Sequence, residues 1–323
     1  MDKYLLNLQL FTDYMNATTS NTEGNDLSDE MKTFYDKNLI RLAEPYLVHD
    51  QFAQKRNIPS GNGKTIDFRQ FTKLPKITSA LTEGTTPDGQ ALDVSNLTAT
   101  VAQYGGYVKV TDLLQLTAID PVITEATALI ASQAGRSLDT VTREILAAGT
   151  NVLYSGGQSA RASLTSSHLL TVADVRKAVR ILEHNDAPKI DGFYIGIIHP
   201  DEKYDLMSDS TWVDWQKYTS PEKMYKNEIG QIAGVRFVES TEAKIFEEGG
   251  ASDADVYATI IFGKDAYGTT EVEGGGLETI IKSKEQAGGP LNQYSTIGWK
   301  ATKVAKILVQ NYIVRVESGC TYA

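Results

Sequence analysis

KTIDFRQFTKLP (64–75) opens the stretch that decides the fold, and KITSALTEGTTPDGQALDVSN (76–96) and LTATVAQYGGYVKV (97–110) complete it. Apolar and polar residues alternate in the first and the last of these segments, which is typical of strands with one apolar face. The middle segment has a proline and two glycines but no apolar period of its own. The stretch therefore predicts a two-stranded hairpin from Gly63 to Val110 with a long irregular tip.

Such a hairpin needs support from elsewhere. A lone two-stranded hairpin is marginally stable in water, and a structureless loop of roughly twenty residues is unusual inside a compact domain. In the first arm Ile66 and Phe68 lie on one face and Asp67 and Arg69 on the other, so the arm has an apolar face to cover. We expect the hairpin to rest on a surface outside its own domain, and another copy of the chain is one such surface.

The composition indicates a folded, acidic protein. The 323 residues are 41% hydrophobic, which is enough for a sizeable core and for about two domains. No window approaches the roughly eighteen apolar residues of a membrane span, and the N-terminus has no secretion signal, so we expect a protein made and used in a cytoplasm. The single cysteine, Cys320, can form no internal disulfide, and it has no nearby histidine that would activate it as a nucleophile.

The charge excludes one class of function. The net charge is −10 and no block of Lys and Arg occurs, whereas a protein that grips DNA by its phosphates normally has a basic face. The sequence therefore argues against reading of DNA sequence. It is compatible with a wall that encloses DNA without adhering to it.

Helices are predicted at four places after a polar arm over residues 1–26, and the last of them is a short helix that Pro200 begins and that His199 precedes or caps. An amphipathic helix is expected over 28–44, where apolar residues recur at helical spacing. A long helix is expected over 120–149, because Asp-Pro begins it and Gly ends it; at this length it measures about 45 Å. Another helix starts at Thr171, whose side chain is expected to cap it.

Strands are predicted in the second half of the chain. The apolar run over 193–198 is typical of a strand that is covered on both faces, and further strands are expected near Gly234 and near Ile260. The segment 296–317 alternates well enough for a long strand or a hairpin. Since no βαβ unit and no internal repeat occurs, the predicted fold class is mixed α+β.

Catalytic and ligand motifs are incomplete. GNGKT (61–65) resembles the end of a phosphate-binding loop, but the required earlier glycine is absent and a strand follows where a helix is needed. Glutamates beside the glycines at 274–276 lack the regular spacing of a calcium loop. The histidines have no metal-ligand spacing; they are His49, His168, His184 and His199. No nucleophile, base and orienting group come together, so we predict no enzyme activity and no cofactor.

An aromatic cluster follows the predicted short helix that begins at Pro200. Its members are Trp212, Trp215, Tyr218 and Tyr225. Aromatic residues are enriched in ligand platforms and at interfaces, but this spacing also fits one face of a packed helix. We favour packing over ligand binding.

Several segments, in the same order, resemble one known family. They are TFYDKNLIRLAEPYLVHDQFAQKRNIPSGNGKTIDFRQF (33–71), LTEGTTPDGQALDVSNLTATVAQYGGYVKVTD (81–112), FYIGIIHPD (193–201), IAGVRFVES (232–240) and PLNQYSTIGWK (290–300). The chain resembles the major capsid proteins of tailed phages with the Hong Kong 97-type fold, and among them the coat-protein family named after coliphage N-four. The resemblance spans all but about the first twenty-five residues.

The resemblance implies a domain plan within the α+β class. It consists of an N-terminal arm (1–57), an extended loop (58–112), a peripheral domain with its spine helix (113–185), an axial domain (186–294) and C-terminal peripheral strands (295–323). By analogy the extended loop lies over a neighbouring subunit, and the tips of the axial domains meet around the capsomer axes.

The resemblance also implies partners and a location. Hexamers and pentamers of the chain would close an icosahedral shell around a double-stranded DNA genome, without sequence-specific DNA binding and without a membrane. A portal and a separate scaffolding protein would take part. Assembly would occur in the cytoplasm of the host bacterium, and the product would be the virion capsid.

Contact residues follow from the same plan, with residues 78–94 as the intersubunit tip. The contacts expected along the extended loop are Lys64, Asp67, Arg69, Lys73, Lys76, Thr82, Glu83, Asp88 and Asp93. The contacts expected at the capsomer axis are Gly249, Gly250, Gly274, Gly275 and Gly276.

Two alternatives stay open from the sequence. A bacterial nanocompartment shell shares this fold but encloses a protein cargo, so the contents of native particles distinguish it from a phage capsid. A soluble α+β enzyme is the other alternative, and the missing catalytic constellation argues against it.

Overall fold

The computed structural model describes most of the chain after residue 46. The described residues are 39, 42–43, 47–59, 61, 63–71, 74–81, 83–84, 86, 88–117, 122–212, 231–272, 275–287 and 291–322. The arm over 1–26, nearly all of the helix expected over 28–44, and Trp215, Tyr218 and Tyr225 lie outside these residues.

The helices lie between residues 112 and 208, and the strands are spread between residues 54 and 318. The helices are α1 (Asp112–Thr117), α2 (Val122–Ala147), α3 (Val172–His184) and α4 (Pro200–Ser208). The strands are β1 (Gln54–Ile58), β2 (Thr65–Phe71), β3 (Val94–Thr100), β4 (Ala102–Thr111), β5 (Val152–Tyr154), β6 (Tyr194–Ile198), β7 (Gln231–Ile232), β8 (Val235–Glu239), β9 (Ile245–Phe246), β10 (Val256–Phe262), β11 (Tyr267–Val272), β12 (Glu278–Lys282), β13 (Tyr294–Ile307) and β14 (Ile313–Ser318).

The chain divides into two compact units, each built from separate stretches of sequence. The first unit combines residues 1–51, 102–141 and 271–303, and the second combines 52–101, 142–270 and 304–323. This division differs from the plan that the resemblance implies, since residues 271–294 fall in the first unit. The expected domain boundaries stay a prediction.

The first unit is a sheet with helix α2 packed on one of its faces. Residues 294–303 of β13 form the middle of this sheet, between β4 and β12, and both pairs are antiparallel. Alternate residues of β13 point toward the helix because side chains of a strand alternate between its two faces. The buried contact is made by Ile130, Ala134 and Leu138 of the helix with Val110, Ile297, Trp299 and Ala301 of the sheet.

A buried polar contact holds the loop before β1 to this core. Asp139 on α2 accepts hydrogen bonds from the backbone N and the ring Nδ1 of His49, both at 2.7 Å, and both side chains are fully buried. Next to them Lys303 of β13 forms an ion pair with Asp50 and donates to the carbonyl oxygen of Leu138. Buried charges are tolerated when they are paired in this way.

The second unit is centred on a larger mixed sheet. Its strand order is β5-β14-β10-β6-β8-β7, and β9 pairs with β10. Strands β6 and β10 are buried along their whole length, as continuous apolar runs predict. Helix α3 packs against this sheet through Val175, Ala178, Val179 and Leu182. Trp212 lies in the same core, in agreement with the packing interpretation of its aromatic cluster.

Helix ends are capped largely as the sequence predicts. The Thr171 side chain accepts a hydrogen bond from the backbone N of Asp174 at 3.3 Å, and His199 caps the helix that Pro200 begins. The long helix expected over 120–149 is present as α2, with residues 120 and 121 outside the description. Its last turn is closed by Arg315, whose guanidinium donates to the carbonyl oxygens of Ala147 and Gly149.

Two predictions about strands need correction. The second arm of the hairpin was expected to reach Val110, but it ends at Thr100, and β4 instead pairs with ten residues of β13. Pairing of β4 with β13 in a buried sheet is more favourable than continuation of the exposed two-stranded hairpin. The C-terminal segment is two strands in different sheets, since β13 and β14 are separated by a turn at Gln310–Tyr312.

Candidate interaction surfaces

The extended hairpin is formed by β2 and β3, paired over seven residues from Thr65–Thr100 to Phe71–Val94. A side-chain hydrogen bond reinforces the pairing, because the Thr98 hydroxyl donates to the Asp67 carboxylate at 2.7 Å. Residues 65–71 form a strand, so the helix that a phosphate-binding loop at GNGKT would need is not formed there.

The base of the hairpin is packed on its own unit. Phe68 and Ala99 are each only 4% exposed. The Phe68 ring lies against Gly268 of β11, where an added Cβ would come within 3.0 Å of the ring, and the Arg56 guanidinium stands over the ring at 5.5 Å. The expectation that the whole apolar face rests outside its own domain is therefore wrong for the base. There the chain itself supplies the cover.

The described residues of the hairpin tip, which spans residues 74–93, have no such cover. Its large apolar side chains are strongly exposed, with Leu74 at 46%, Ile77 at 72%, Leu81 at 73% and Leu92 at 68%. Among the tip residues that the structure describes, no side chain makes a hydrogen bond or an ion pair with another described residue. Clustered exposed apolar side chains mark interaction sites. The tip is thus a candidate binding surface.

The polar residues expected along the extended loop are exposed where the structure describes them. They are Lys64, Asp67, Arg69, Lys76, Glu83, Asp88 and Asp93. Lys73 and Thr82 lie outside the described residues. Of this set, Asp67 alone has a side-chain hydrogen bond to another described residue, the one from Thr98. The side chains of the others are available to a partner.

The glycine loops expected at a capsomer axis have internal packing roles. An added Cβ at Gly250 would come within 2.6 Å of the Leu164 carbonyl oxygen, and one at Gly275 within 2.5 Å of the Thr302 hydroxyl. Gly249 is packed in the same way against Phe246, whereas Gly276 is half-buried and Gly274 lies outside the described residues. Close packing explains Gly249, Gly250 and Gly275, and a contact at an axis stays a prediction.

A cleft of about 490 Å³ opens on the face of the first unit's sheet that lies opposite α2. Three cross-strand rows build this face, and the middle row is Tyr107, Gly298 and Ile280. Because Gly298 has no side chain, the centre of the row is a depression between a tyrosine and an isoleucine. We call this the lysine cleft, after the residues of the flanking rows.

Lysines line the lysine cleft on both sides. Lys109 and Lys282 stand opposite each other across Thr296 in one flanking row, and both are exposed. Lys300 in the other row pairs with Glu278 at 3.2 Å. The ammonium group of Lys109 lies 5.1 Å from the centre of the Tyr294 ring.

Sequence reasoning missed the lysine cleft. The signal that was available is the alternation of Tyr107 with Lys109 and of Ile280 with Lys282, which places one aromatic or apolar residue and one lysine on the same face of each strand. The strand β12 was not predicted, so the second half of the pattern had no place in the sheet.

A buried carboxylate lies in the second unit. Glu202 on α4 is fully buried and accepts hydrogen bonds from Ser318 at 2.6 Å and from Thr259 at 2.7 Å. Burial raises the pKa of Glu202 to about 7, although the two hydroxyl donors oppose the rise. Cys320, two residues after Ser318, is also buried, and burial raises the pKa of its thiol to about 12.

Two further features concern binding capacity. Within the described ranges, no three side chains of His, Cys, Asp or Glu are grouped so that they could hold a metal ion. Nor does any described helix have the length and apolar character needed to cross a membrane.

Known proteins share this architecture. Residues 94–314, more than half of the chain, match the family described as phage capsid protein. Curated protein sequences give no significant match. Among solved structures, the capsid asymmetric unit of cyanophage Pam1 is similar over 100% of both chains, with 16% identity and a TM-score of 0.69.

Two other capsids are similar over most of their length. The capsid structure of cyanophage P-SCSP1u has 15% identity and a TM-score of 0.64, over 83% of this chain and 86% of that chain. The capsid of Ralstonia phage GP4 has 13% identity and a TM-score of 0.64, over 83% and 87%. At these identities the likeness concerns the fold, and it confirms the predicted α+β, Hong Kong 97-type class.

Proposed function

The chain belongs to the phage capsid protein family, and we propose that its extended hairpin is the element by which one subunit holds the next. As a major capsid protein, the chain has a structural role in the virion capsid, in which copies assemble into capsomers. The family assignment does not favour the nanocompartment shell or the soluble enzyme.

The observation that carries the proposal is the contrast between the two ends of the hairpin. Phe68 at the base is 4% exposed, whereas Leu81 at the tip is 73% exposed. Exposed apolar area at the end of a long ribbon is stabilised when another surface removes it from water, at roughly 25 cal/mol for each Å². Since identical subunits surround each subunit of a shell, a neighbouring copy is the surface always present.

The polar residues of the extended loop take part in this proposal. Lys64, Arg69 and Lys76, which are basic, and Glu83, Asp88 and Asp93, which are acidic, are exposed charges that a neighbour can pair. Lys73 and Thr82 belong to the same proposed set. Charged contacts of this kind fix the register of an interface more than they strengthen it.

The finer assembly plan is also part of the proposal. Hexamers and pentamers form an icosahedral shell around double-stranded DNA, the arm, peripheral and axial regions follow the boundaries given above, and the glycine loops at 249–250 and 274–276 approach the capsomer axes. The net charge of −10 supports a wall that does not adhere to the DNA that it encloses. A portal, a separate scaffolding protein, assembly in the host bacterial cytoplasm and membership of the N-four-type coat-protein group complete it.

The test is deletion of residues 80–92 from the hairpin tip. We expect a folded chain, with the circular dichroism and unfolding transition of the wild type, that forms no closed shells in electron microscopy. A second variant replaces the same thirteen positions, counted from Ala80 to Leu92, with a Gly/Ser segment of equal length, which keeps the length of the connection but removes the side chains. It should also fail to close shells, because the side chains of the tip make the contact. Normal particles from either variant would contradict the proposal.

A further inference from the structure

The lysine cleft has a surplus of positive charge. No carboxylate among the described residues forms an ion pair with Lys109 or Lys282, and the one acidic residue in the three rows, Glu278, is taken by Lys300. An exposed lysine costs little in water, but two of them flanking an apolar depression make a site that favours an anionic group.

The cleft also offers apolar area. Tyr107 is 65% exposed, although it stands in the middle row of a sheet whose other face is buried. Beside it, the position of Gly298 cannot be filled by the chain itself, since an added Cβ would come within 2.9 Å of the Tyr107 Cβ. No residue larger than glycine fits at this position, and the cleft of about 490 Å³ above it can receive a side chain from outside.

The hairpin tip has the opposite character in both respects. Between residues 74 and 93 it contains three carboxylates, Glu83, Asp88 and Asp93, and a single lysine, Lys76. Its leucines at 81 and 92 are among the most exposed apolar side chains of the described residues. An acidic segment with exposed leucines fits a basic cleft with an exposed aromatic ring in charge and in polarity.

We propose that the lysine cleft of one subunit receives the hairpin tip of a neighbouring copy, with the carboxylates of the tip near Lys109 and Lys282 and a leucine against Tyr107 in the depression over Gly298. The proposal rests on the proposed function of the hairpin and names the partner surface of that same element. It assigns the basic partner to the neighbour's β4–β13–β12 sheet.

Charge reversal tests this pairing between copies. One variant carries Lys109→Glu and Lys282→Glu, and the other carries Glu83→Lys, Asp88→Lys and Asp93→Lys. Each alone is expected to lower the yield of capsomers and particles about tenfold or more, since it brings like charges together. Co-expression of the two variants is expected to restore six-membered capsomers, because the variants can alternate around a ring of six and each tip then meets a cleft of opposite charge on the other variant.

The control for the cleft variant is Lys55→Glu with Lys264→Glu, which makes the same change of net charge at exposed lysines outside the cleft. This control should assemble as the wild type does. If co-expression fails but the five substitutions restore assembly when placed on one chain, the tip binds its own cleft and the proposal is wrong. If both variants assemble normally while the 80–92 deletion does not, the cleft proposal fails and the hairpin proposal stands.

A second measurement does not depend on assembly of variants. Acetylation of lysines in wild-type particles, read by mass spectrometry, should leave Lys109 and Lys282 at least about fivefold less modified than in the dissociated chain, because a docked segment excludes the reagent. Lys264 serves as the internal reference. Equal modification of Lys109 and Lys282 in both states would overturn the proposal.

Discussion

The guanidinium of Arg161 donates two hydrogen bonds to the carboxylate of Glu317, at 2.8 Å from Nε and 2.7 Å from the terminal nitrogen. Glu317 is fully buried, and the same carboxylate also accepts from Arg315 at 2.7 Å. The Arg161 guanidinium in addition lies 3.4 Å from the centre of the Phe246 ring. One carboxylate thus ties strand β14 to the turn at Arg161–Ser163 and, through Arg315, to the end of α2.

Replacement of Glu317 should destabilise the second unit. In Glu317→Ala two guanidinium groups lose their common acceptor in a buried place, and breaking a buried pair costs about 3–5 kcal/mol. Urea denaturation of the full chain measures the loss. Glu183→Ala is the control, because the Glu183–Lys189 pair is exposed and should contribute less than about 1 kcal/mol. Equal effects of the two substitutions would show that the buried carboxylate has no special role.

The two ends of the hairpin should respond differently to substitution. Phe68→Ala removes a buried ring from the base, and we expect a loss of about 3 kcal/mol in the free energy of unfolding. Ile77→Ala combined with Leu81→Ala should change that free energy by less than about 0.5 kcal/mol, since both side chains are exposed, while it lowers the yield of particles. Denaturation and sedimentation of the same preparations measure both quantities. A tip variant that unfolds as easily as Phe68→Ala would contradict the division between base and tip.

Glu202 should make stability depend on pH in an unusual direction. Its pKa is about 7 in the folded chain against an ordinary 4.5, so between these values the folded state holds a proton that the unfolded state has lost. Stability from this group is present at low pH and is lost as pH rises through about 7. Compared with Glu202→Gln, the wild type should lose about 3 kcal/mol more between about pH 4.5 and pH 8. Denaturation curves across this range test it, with Glu125→Gln on the exposed face of α2 as the control that should follow the wild type.

Cys320 should be inert toward thiol reagents while the chain is folded. Thiolates react and thiols do not, and burial raises the pKa of this thiol to about 12. Iodoacetamide at about pH 8 should therefore leave the native chain unlabelled and label it fully in denaturant. Ser283→Cys, at an exposed position after β12, is the positive control. If native Cys320 is labelled as fast as the thiol introduced by that substitution, its burial is contradicted.

Local chemistry in the sequence was sufficient for much of the fold. The alternation around Ile66 predicted β2, the apolar run over 193–198 predicted a buried strand, and Thr171 and His199 cap the helices that follow them. Each of these features depends on residues close together in the chain. Steric and hydrogen-bonding preferences of neighbours therefore decide them.

What could not be predicted depends on partners far away in the chain. The hairpin ends at Thr100 because β4 finds β13 about two hundred residues later. The lysine cleft likewise needs Tyr107, Ile280 and Gly298 side by side, and the local sequence gives no indication of that pairing. For the tip, the resemblance pointed to contact residues that composition alone did not distinguish from an ordinary acidic loop.

The hairpin is packed at its base, whereas the described residues of its tip form no side-chain hydrogen bond or ion pair with other described residues, and this contrast limits how strongly subunits adhere. Fixing the exposed side chains of the tip at an interface consumes part of the association free energy, so each tip contact is weaker than its buried area alone would give. Weak individual contacts dissociate quickly, and a subunit that has joined at a wrong angle can leave before its neighbours enclose it. The exposed leucines at positions 81 and 92 would then favour accurate closure of the shell, because wrongly placed subunits can dissociate. A finished shell would be stable because many such contacts act together.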